Sequence, residues 1–131
     1  MIIALMIGRK GSSGYPNKNL IKIFGKHLCE YPLMAVKKTK MISKIFISTD
    51  CPKIRKITKK YNPIFIERPK YLATNSALGE EVFRDAYYKI KKNLNGKKIS
   101  LVVLLMANAG TINSSLIKKG INILKKNKKH D

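Results

Sequence analysis

Apolar residues fall into two alternating rhythms along this chain: short unbroken runs, and stretches in which they return every three or four positions. The first run, Ile2–Ile7, is apolar throughout, the pattern of a parallel strand buried on both faces. A glycine-bearing loop follows, to Leu20. Cys29–Lys38 predicts the first helix, with Leu33, Met34 and Val36 on its apolar face and Pro32 tolerable only within the first turn. Lys44–Ser48 is the second strand. Asp50 then stands where a helix cap belongs, with Pro52 just inside the helix and Ile54 and Ile57 facing inward until Tyr61. Pro63–Ile66 predicts a short third strand. Arg68–Ala77 carries no period and reads as a loop over the sheet edge. Gly79–Lys92 is helical through Val82, Phe83, Ala86, Tyr87 and Ile90, and Asn95–Gly96 makes a turn. Ser100–Leu105 is a second fully apolar strand. A loop to Asn113 leads into a last helix from Ser114 to about Lys126, with Leu116, Ile117, Ile121 and Leu124 inward.

Four strand and helix pairs in alternation predict an α/β fold with a mostly parallel sheet and right-handed crossovers. At 131 residues and 44% hydrophobic content, the chain is long enough for one core, and residues 1–131 read as a single domain. No internal repeat or low-complexity linker divides it. The alternation would next supply a strand after the last helix, so the sheet is expected to be incomplete, with a C-terminal portion missing.

The net charge of +21 ordinarily points to nucleic acid or another polyanion. All but four of the 28 basic residues are lysines, however, and they spread over residues 37–44, 53–60, 89–98 and 118–129. That scatter fits solvated helix faces and not a nucleic-acid groove, and the dispersed tyrosines form no stacking platform. Lys or Arg interrupts every apolar run well short of the roughly 20 residues of a membrane span. Residues Met1–Ile7 run straight into Gly8, Arg9 and Lys10, without the basic leader or cleavage site of a signal peptide, so a cytoplasmic protein is expected. Cys29 and Cys51 lack metal or disulfide spacing and read as reduced, buried thiols. His27 and His130, embedded among lysines, are expected to be solvent exposed.

In open α/β sheets, ligands bind beyond the carboxyl ends of the strands. The loop after the first strand, Gly8 to Leu20, holds what a polyphosphate needs. Gly11 and Gly14 let backbone amides approach an anion, Ser12 and Ser13 offer hydroxyls, and Arg9, Lys10 and Lys18 bring positive charge. A guanidinium suits bidentate phosphate contact, whereas lysine acts as a mobile point charge. The loop is neither a Walker loop, since no Gly-Lys-Ser/Thr ends it, nor a G-x-G-x-x-G turn, since its glycines have the wrong spacing.

The same loop resembles the signature of the acylneuraminate cytidylyltransferase family, A-R-x-G-S-K-x-x-P-x-K-N-L. Arg9, Gly11, Ser12, Pro16, Lys18, Asn19 and Leu20 match it; Gly8 replaces the alanine and Ser13 the lysine of G-S-K. Gly25, Lys26 and Leu28 follow the family's G-K-x-L turn. Ile47 to Asp50 resemble its V-S-T-D strand end, and Arg68, Pro69, Leu72, Ala73 and Thr74 its R-P-x-x-L-A-T loop. After the fourth strand, Ala107-Asn108-Ala109 departs from the common L-L-Q-P-T-S-P-L-R form and resembles a variant, L-x-A-N-A-P-T-I, with Gly110 in place of its proline.

The resemblance implies a three-layer, Rossmann-like nucleotide-diphospho-sugar transferase fold. It also implies a reaction: the anomeric hydroxyl of a nine-carbon 2-keto sugar acid attacks the α-phosphate of CTP and releases pyrophosphate. On that basis Arg9 and Lys18 are the candidate catalytic residues on the phosphates. Gly8, Gly11, Ser12, Asn19, Arg68 and Asn108 are candidate nucleotide contacts. Mg²⁺ is implied, with its ligands expected outside this chain, and so is a homodimer for the full-length form. CTP and a nonulosonic acid are the expected partners, with no nucleic acid and no membrane. Other readings stay open: a 3-deoxy-manno-octulosonate cytidylyltransferase, and an inactive chain that only holds nucleotide. Asp50 remains open between a helix cap and a catalytic or metal role, and Lys18 and Asn19 between ligand contact and turn shaping.

Overall fold

The computed structural model describes residues 1–11 and 14–127. Four strands form the main sheet: β1 (Ile2–Ile7), then, after a small hairpin of β2 (Lys22–Ile23) and β3 (Lys26–His27), β4 (Lys44–Thr49), β5 (Ile64–Glu67) and β6 (Leu101–Met106). Their order is β5-β4-β1-β6, and every adjacent pair is parallel. Strand β1 is central and buried at all six positions, which is what its unbroken apolar run demanded.

Alternation along β1 sends its side chains to two separate cores. Ile2, Ala4 and Met6 pack against α1 (Glu30–Lys37), α2 (Pro52–Thr58) and α4 (Ser114–Lys126) through Leu33, Val36, Ile54, Ile117 and Ile121. Ile3, Leu5 and Ile7 pack against α3 (Gly79–Asn93) through Val82, Ala86 and Ile90. Helices therefore cover both faces of the sheet, the three layers expected. Each of the predicted strands and helices is present, with ends moved by at most two residues except that α2 stops at Thr58 and continues to Tyr61 as a 3₁₀ turn.

Four details correct the sequence reading. Asp50 is not a helix cap: the cap position of α2 falls to Cys51, whose backbone is extended and whose side chain makes no capping bond. Asp50 instead accepts the amide of Lys10, 2.8 Å away. On α4, Ile117 and Ile121 are buried as expected, but Leu116 and Leu124 are 53% and 38% exposed. The apolar arc of that helix is wider than the surface it covers. His27 is half-buried and hydrogen-bonded to Glu30, because the hairpin folds it back over the first helix turn. The hairpin itself was not anticipated; its Phe24–Gly25 turn has positive φ at both residues, the geometry of a two-residue connection between antiparallel strands. His130, expected exposed, lies outside the described residues, as do Ser12 and Ser13.

The cap of α4 was better served by its sequence. Asn113 accepts the amide of Leu116 at 3.0 Å, satisfying one of the helix's four orphan donors. The Asn95–Gly96 turn also has positive φ at both residues, as their types allow.

Candidate functional site

Strand order reverses at β1: the chain runs outward through β4 and β5 on one side, then crosses to place β6 on the other. A doubly wound sheet opens a crevice at that point, beyond the carboxyl ends of the two strands that flank it. A cavity of about 270 Å³ sits there. Gly8, Arg9, Gly11, Lys18 and Asn19 line it from the loop after β1, and Asn108 from the loop after β6. Arg68 closes it from the segment after β5, together with Leu72 and Thr74. Seven of the eight residues nominated from sequence thus converge on one cavity; the eighth, Ser12, lies outside the described residues. Another recess, about 320 Å³, lies at the opposite end of the sheet beside Lys44 and Ile64, away from these loops.

Local contacts explain how each group is held. The amide of Gly8 donates to the Ser48 carbonyl at 3.2 Å and the amide of Lys10 to Asp50, so the backbone on both sides of Arg9 is tied to the end of β4. A Cβ on Gly8 would stand 2.6 Å from the Cβ of Ala107, so the loops after β1 and β6 meet where only glycine fits. Asn17 takes a left-handed conformation and opens a short 3₁₀ turn, Lys18–Leu20. Asn19 is buried in that turn; its Nδ2 donates to the Arg9 carbonyl at 3.4 Å and its own carbonyl accepts the Cys29 amide at 3.0 Å. Turn shaping and ligand contact are therefore not exclusive for Asn19, since the bonds that shape the turn also fix it at the cavity wall.

Arg68 is 6% exposed. Its Nη2 donates to the Ser48 carbonyl at 3.1 Å, while its Nε is buried without a hydrogen-bond partner. Burial pulls its pKa down from the usual arginine value; Asp50 opposes that shift and Arg9 adds to it. A guanidinium so placed has donor capacity left for an anion or a ring acceptor. The ion pairs among the described residues are His27–Glu30, Lys60–Glu30 and Lys89–Asp85, and none involves Arg9, Lys18 or Arg68. Three cations around one cavity, with no carboxylate partner among the described residues, suit an anion.

The residues fit a metal less well. Among the described residues no group of three or more His, Cys, Asp or Glu is placed to hold an ion, and Asp50 already accepts the Lys10 amide. Sequence reasoning missed the part played by the carboxyl end of β4, because Ser48 and Asp50 act on residues forty positions away, through contacts that leave no local pattern. It also missed Ala107 as the residue against which Gly8 packs.

A cationic crevice at the switch point of a three-layer α/β sheet is where proteins of this fold class bind their ligands, here with the charge to suit an anion. The cytidylyltransferase family model matches residues 3–131, and the chain belongs to that family. It is 30% identical over 130 residues to the pseudaminic acid cytidylyltransferase and UDP-2,4-diacetamido-2,4,6-trideoxy-beta-L-altropyranose hydrolase of Helicobacter pylori (strain ATCC 700392 / 26695), covering 98% of this chain and 24% of that protein. It is 34% identical over 85 residues to the N-acylneuraminate cytidylyltransferase of Escherichia coli O18:K1:H7 (strain RS218 / NMEC), covering 65% of this chain and 20% of the relative. Among solved structures, it superposes on a CMP:2-keto-3-deoxy-manno-octonic acid synthetase complexed with CTP at a TM-score of 0.78 and 14% identity. That match covers 98% of this chain and 48% of the other. A cytidylyltransferase from Leptospira borgpetersenii serovar Hardjo-bovis (strain JB197) matches with a TM-score of 0.73 and 17% identity, over 98% of this chain and 50% of the other. The chain thus spans a quarter or less of these two curated relatives and about half of these two structures.

Proposed function

We propose that this chain is the CTP-binding part of a cytidylyltransferase that activates a nine-carbon 2-keto sugar acid, with the crevice between β1 and β6 as its nucleotide site. The observation that carries the reading is the convergence of Gly8, Arg9, Gly11, Lys18, Asn19, Arg68 and Asn108 on one cavity. Arg9 and Lys18 take the triphosphate, the first as a fork-shaped donor and the second as a point charge. The backbone near Gly11, whose φ of +72° turns the loop, lets amides approach the phosphates. Asn19, Arg68 and Asn108 take the remaining polar contacts to base and ribose.

Phosphoryl transfer of this kind asks the protein for position and charge neutralisation, not covalent chemistry. The cations here serve that need by holding the α-phosphate in one place and drawing charge toward the departing pyrophosphate. Among the described residues no group of three or more His, Cys, Asp or Glu is placed to hold a metal, and the Mg²⁺ that the family implies is proposed to take protein ligands from outside this chain. A nonulosonic acid is favoured over an eight-carbon acid because the curated relatives at 30 to 34% identity are named for pseudaminic and N-acylneuraminic acids. The eight-carbon enzyme shares the fold at 14% identity. A homodimer of the full-length form, as the family implies, belongs to the same reading.

Calorimetric titration of the purified chain with CTP, GTP and ATP tests the assignment. CTP should bind and the purines should bind at least about tenfold more weakly. Equal binding of all three would leave a polyphosphate site without base selection, and no binding at all would remove the reading.

A further inference from the structure

The carboxyl end of β4 touches the site at three points although no residue of β4 lines the cavity. The Ser48 carbonyl accepts the Gly8 amide at 3.2 Å and Arg68 Nη2 at 3.1 Å, and the Asp50 carboxylate accepts the Lys10 amide at 2.8 Å. Residue 9 is therefore held from both neighbours by one short segment, and the same segment carries the guanidinium of Arg68. Asp50 is also the first acidic group in the electrostatic surroundings of Arg68. A glycine-bearing loop has no intrinsic preference for one path, so a contact that fixes it ahead of ligand binding lowers the ordering cost of binding.

We propose that Asp50 is a positioning residue: its carboxylate, by accepting the Lys10 amide, presets the path of the Gly8–Gly11 segment and so the placement of Arg9 for a triphosphate. It does this as a hydrogen-bond acceptor, not through its charge, and the two roles make opposite predictions. A negative charge beside a phosphate site repels the ligand, so an uncharged residue that still accepts the amide keeps the benefit and removes the cost. Asparagine is such a residue. The proposal rests on the CTP-binding reading above, and its test keeps the two apart.

The test compares the full chain with Asp50→Asn and Asp50→Ala by CTP calorimetry, with amide hydrogen exchange at Lys10 measured without ligand. Asp50→Asn should bind CTP as tightly as the parent or more tightly, and Asp50→Ala at least about fivefold more weakly than Asp50→Asn. The Lys10 amide should exchange slowly in the parent and in Asp50→Asn and fast in Asp50→Ala. Equal CTP affinity of the two variants, or loss of affinity in both, would overturn the proposal, the second result marking a role for the charge itself. A Lys10 amide that exchanges as fast in the parent as an unprotected loop amide would also overturn it. If the parent does not bind CTP, the functional reading falls while the exchange arm still judges Asp50. If Asp50→Ala does not fold, the parent and Asp50→Asn carry the exchange comparison alone.

Discussion

Two charged regions of this molecule are built on opposite terms. At the crevice, Arg9, Lys18 and Arg68 face a cavity with no carboxylate among the described residues paired to them. At the start of α1, Glu30 is 2% exposed and fully engaged: it accepts the His27 amide at 2.8 Å, His27 Nδ1 at 3.2 Å and the Tyr61 hydroxyl at 2.9 Å, and pairs with Lys60 at 2.5 Å. Burial alone would raise the Glu30 pKa, but the Lys60 contact and the three bonds from His27 and Tyr61 outweigh it and hold it at about 2, against the ordinary 4.5. Its neighbours respond in kind. Burial and then the Glu30 charge push the Cys29 thiol up to about 12, and burial with the Glu30 hydrogen bond pushes Tyr61 above its usual range. Charge that is already satisfied fastens the hairpin, α1 and the turn after α2 together; charge left unpaired waits for a ligand. A sequence lists both as charged residues, and only their partners separate them.

The sharpest way to break the contrast is to remove Glu30. Glu30→Ala strips a buried acceptor from three donors and an ammonium and should cost about 3 kcal/mol of stability, below the upper values for buried pairs because the Lys60 side chain is 58% exposed. Denaturant unfolding measures it, and CTP affinity of the folded fraction should change little. The same group sets an acid limit. A fall in its pKa from 4.5 to about 2 is worth roughly 3 to 4 kcal/mol, at about 1.4 kcal/mol per pH unit. Because the folded value is the depressed one, this stability is present in full above about pH 4.5. It is lost as pH falls toward 2, so Glu30→Gln should flatten that limb of the stability curve.

Arg9→Ala should do the reverse: unfolding within about 0.5 kcal/mol of the parent, with CTP affinity weaker by at least about tenfold, as a lost charge-assisted contact implies. An unchanged titration would mean that the cations of the crevice are solvated surface. The smallest effect expected is at the contact between the two loops. Gly8→Ala puts a methyl 2.6 Å from Ala107 and should cost about 1 kcal/mol and some CTP affinity, and Ala107→Gly in the same chain should restore part of both.

Most of the scaffold was legible because it is local. The unbroken run Ile2–Ile7 could hardly be anything but a central parallel strand, and Val82, Ala86 and Ile90 share one helix face. Asp50 was misread because a carboxylate before Cys51–Pro52 satisfies the local rule for a cap, while its real partner is Lys10. Glu30 drew no notice, since an acid in a first helical turn is ordinary and its cluster is assembled from the hairpin and from residues 60 and 61. The hairpin was missed because two-residue strands leave no alternation to detect. The cavity was found through spaced motifs, which record distant geometry in a way periodicity does not.

Strand β6 carries a further consequence. Among the described residues it is one of the sheet's two outer strands, with Leu104 and Met106 47% and 50% exposed, and α4 beside it shows Leu116 and Ile123 to solvent. An outer strand with apolar neighbours is a template for self-association. The repulsion of a +21 chain opposes such association, and it reaches about 8 Å at physiological ionic strength and about 3 Å in molar salt. Added salt should therefore act on this chain twice, weakening the proposed hold on an anionic nucleotide and screening the repulsion that opposes self-association.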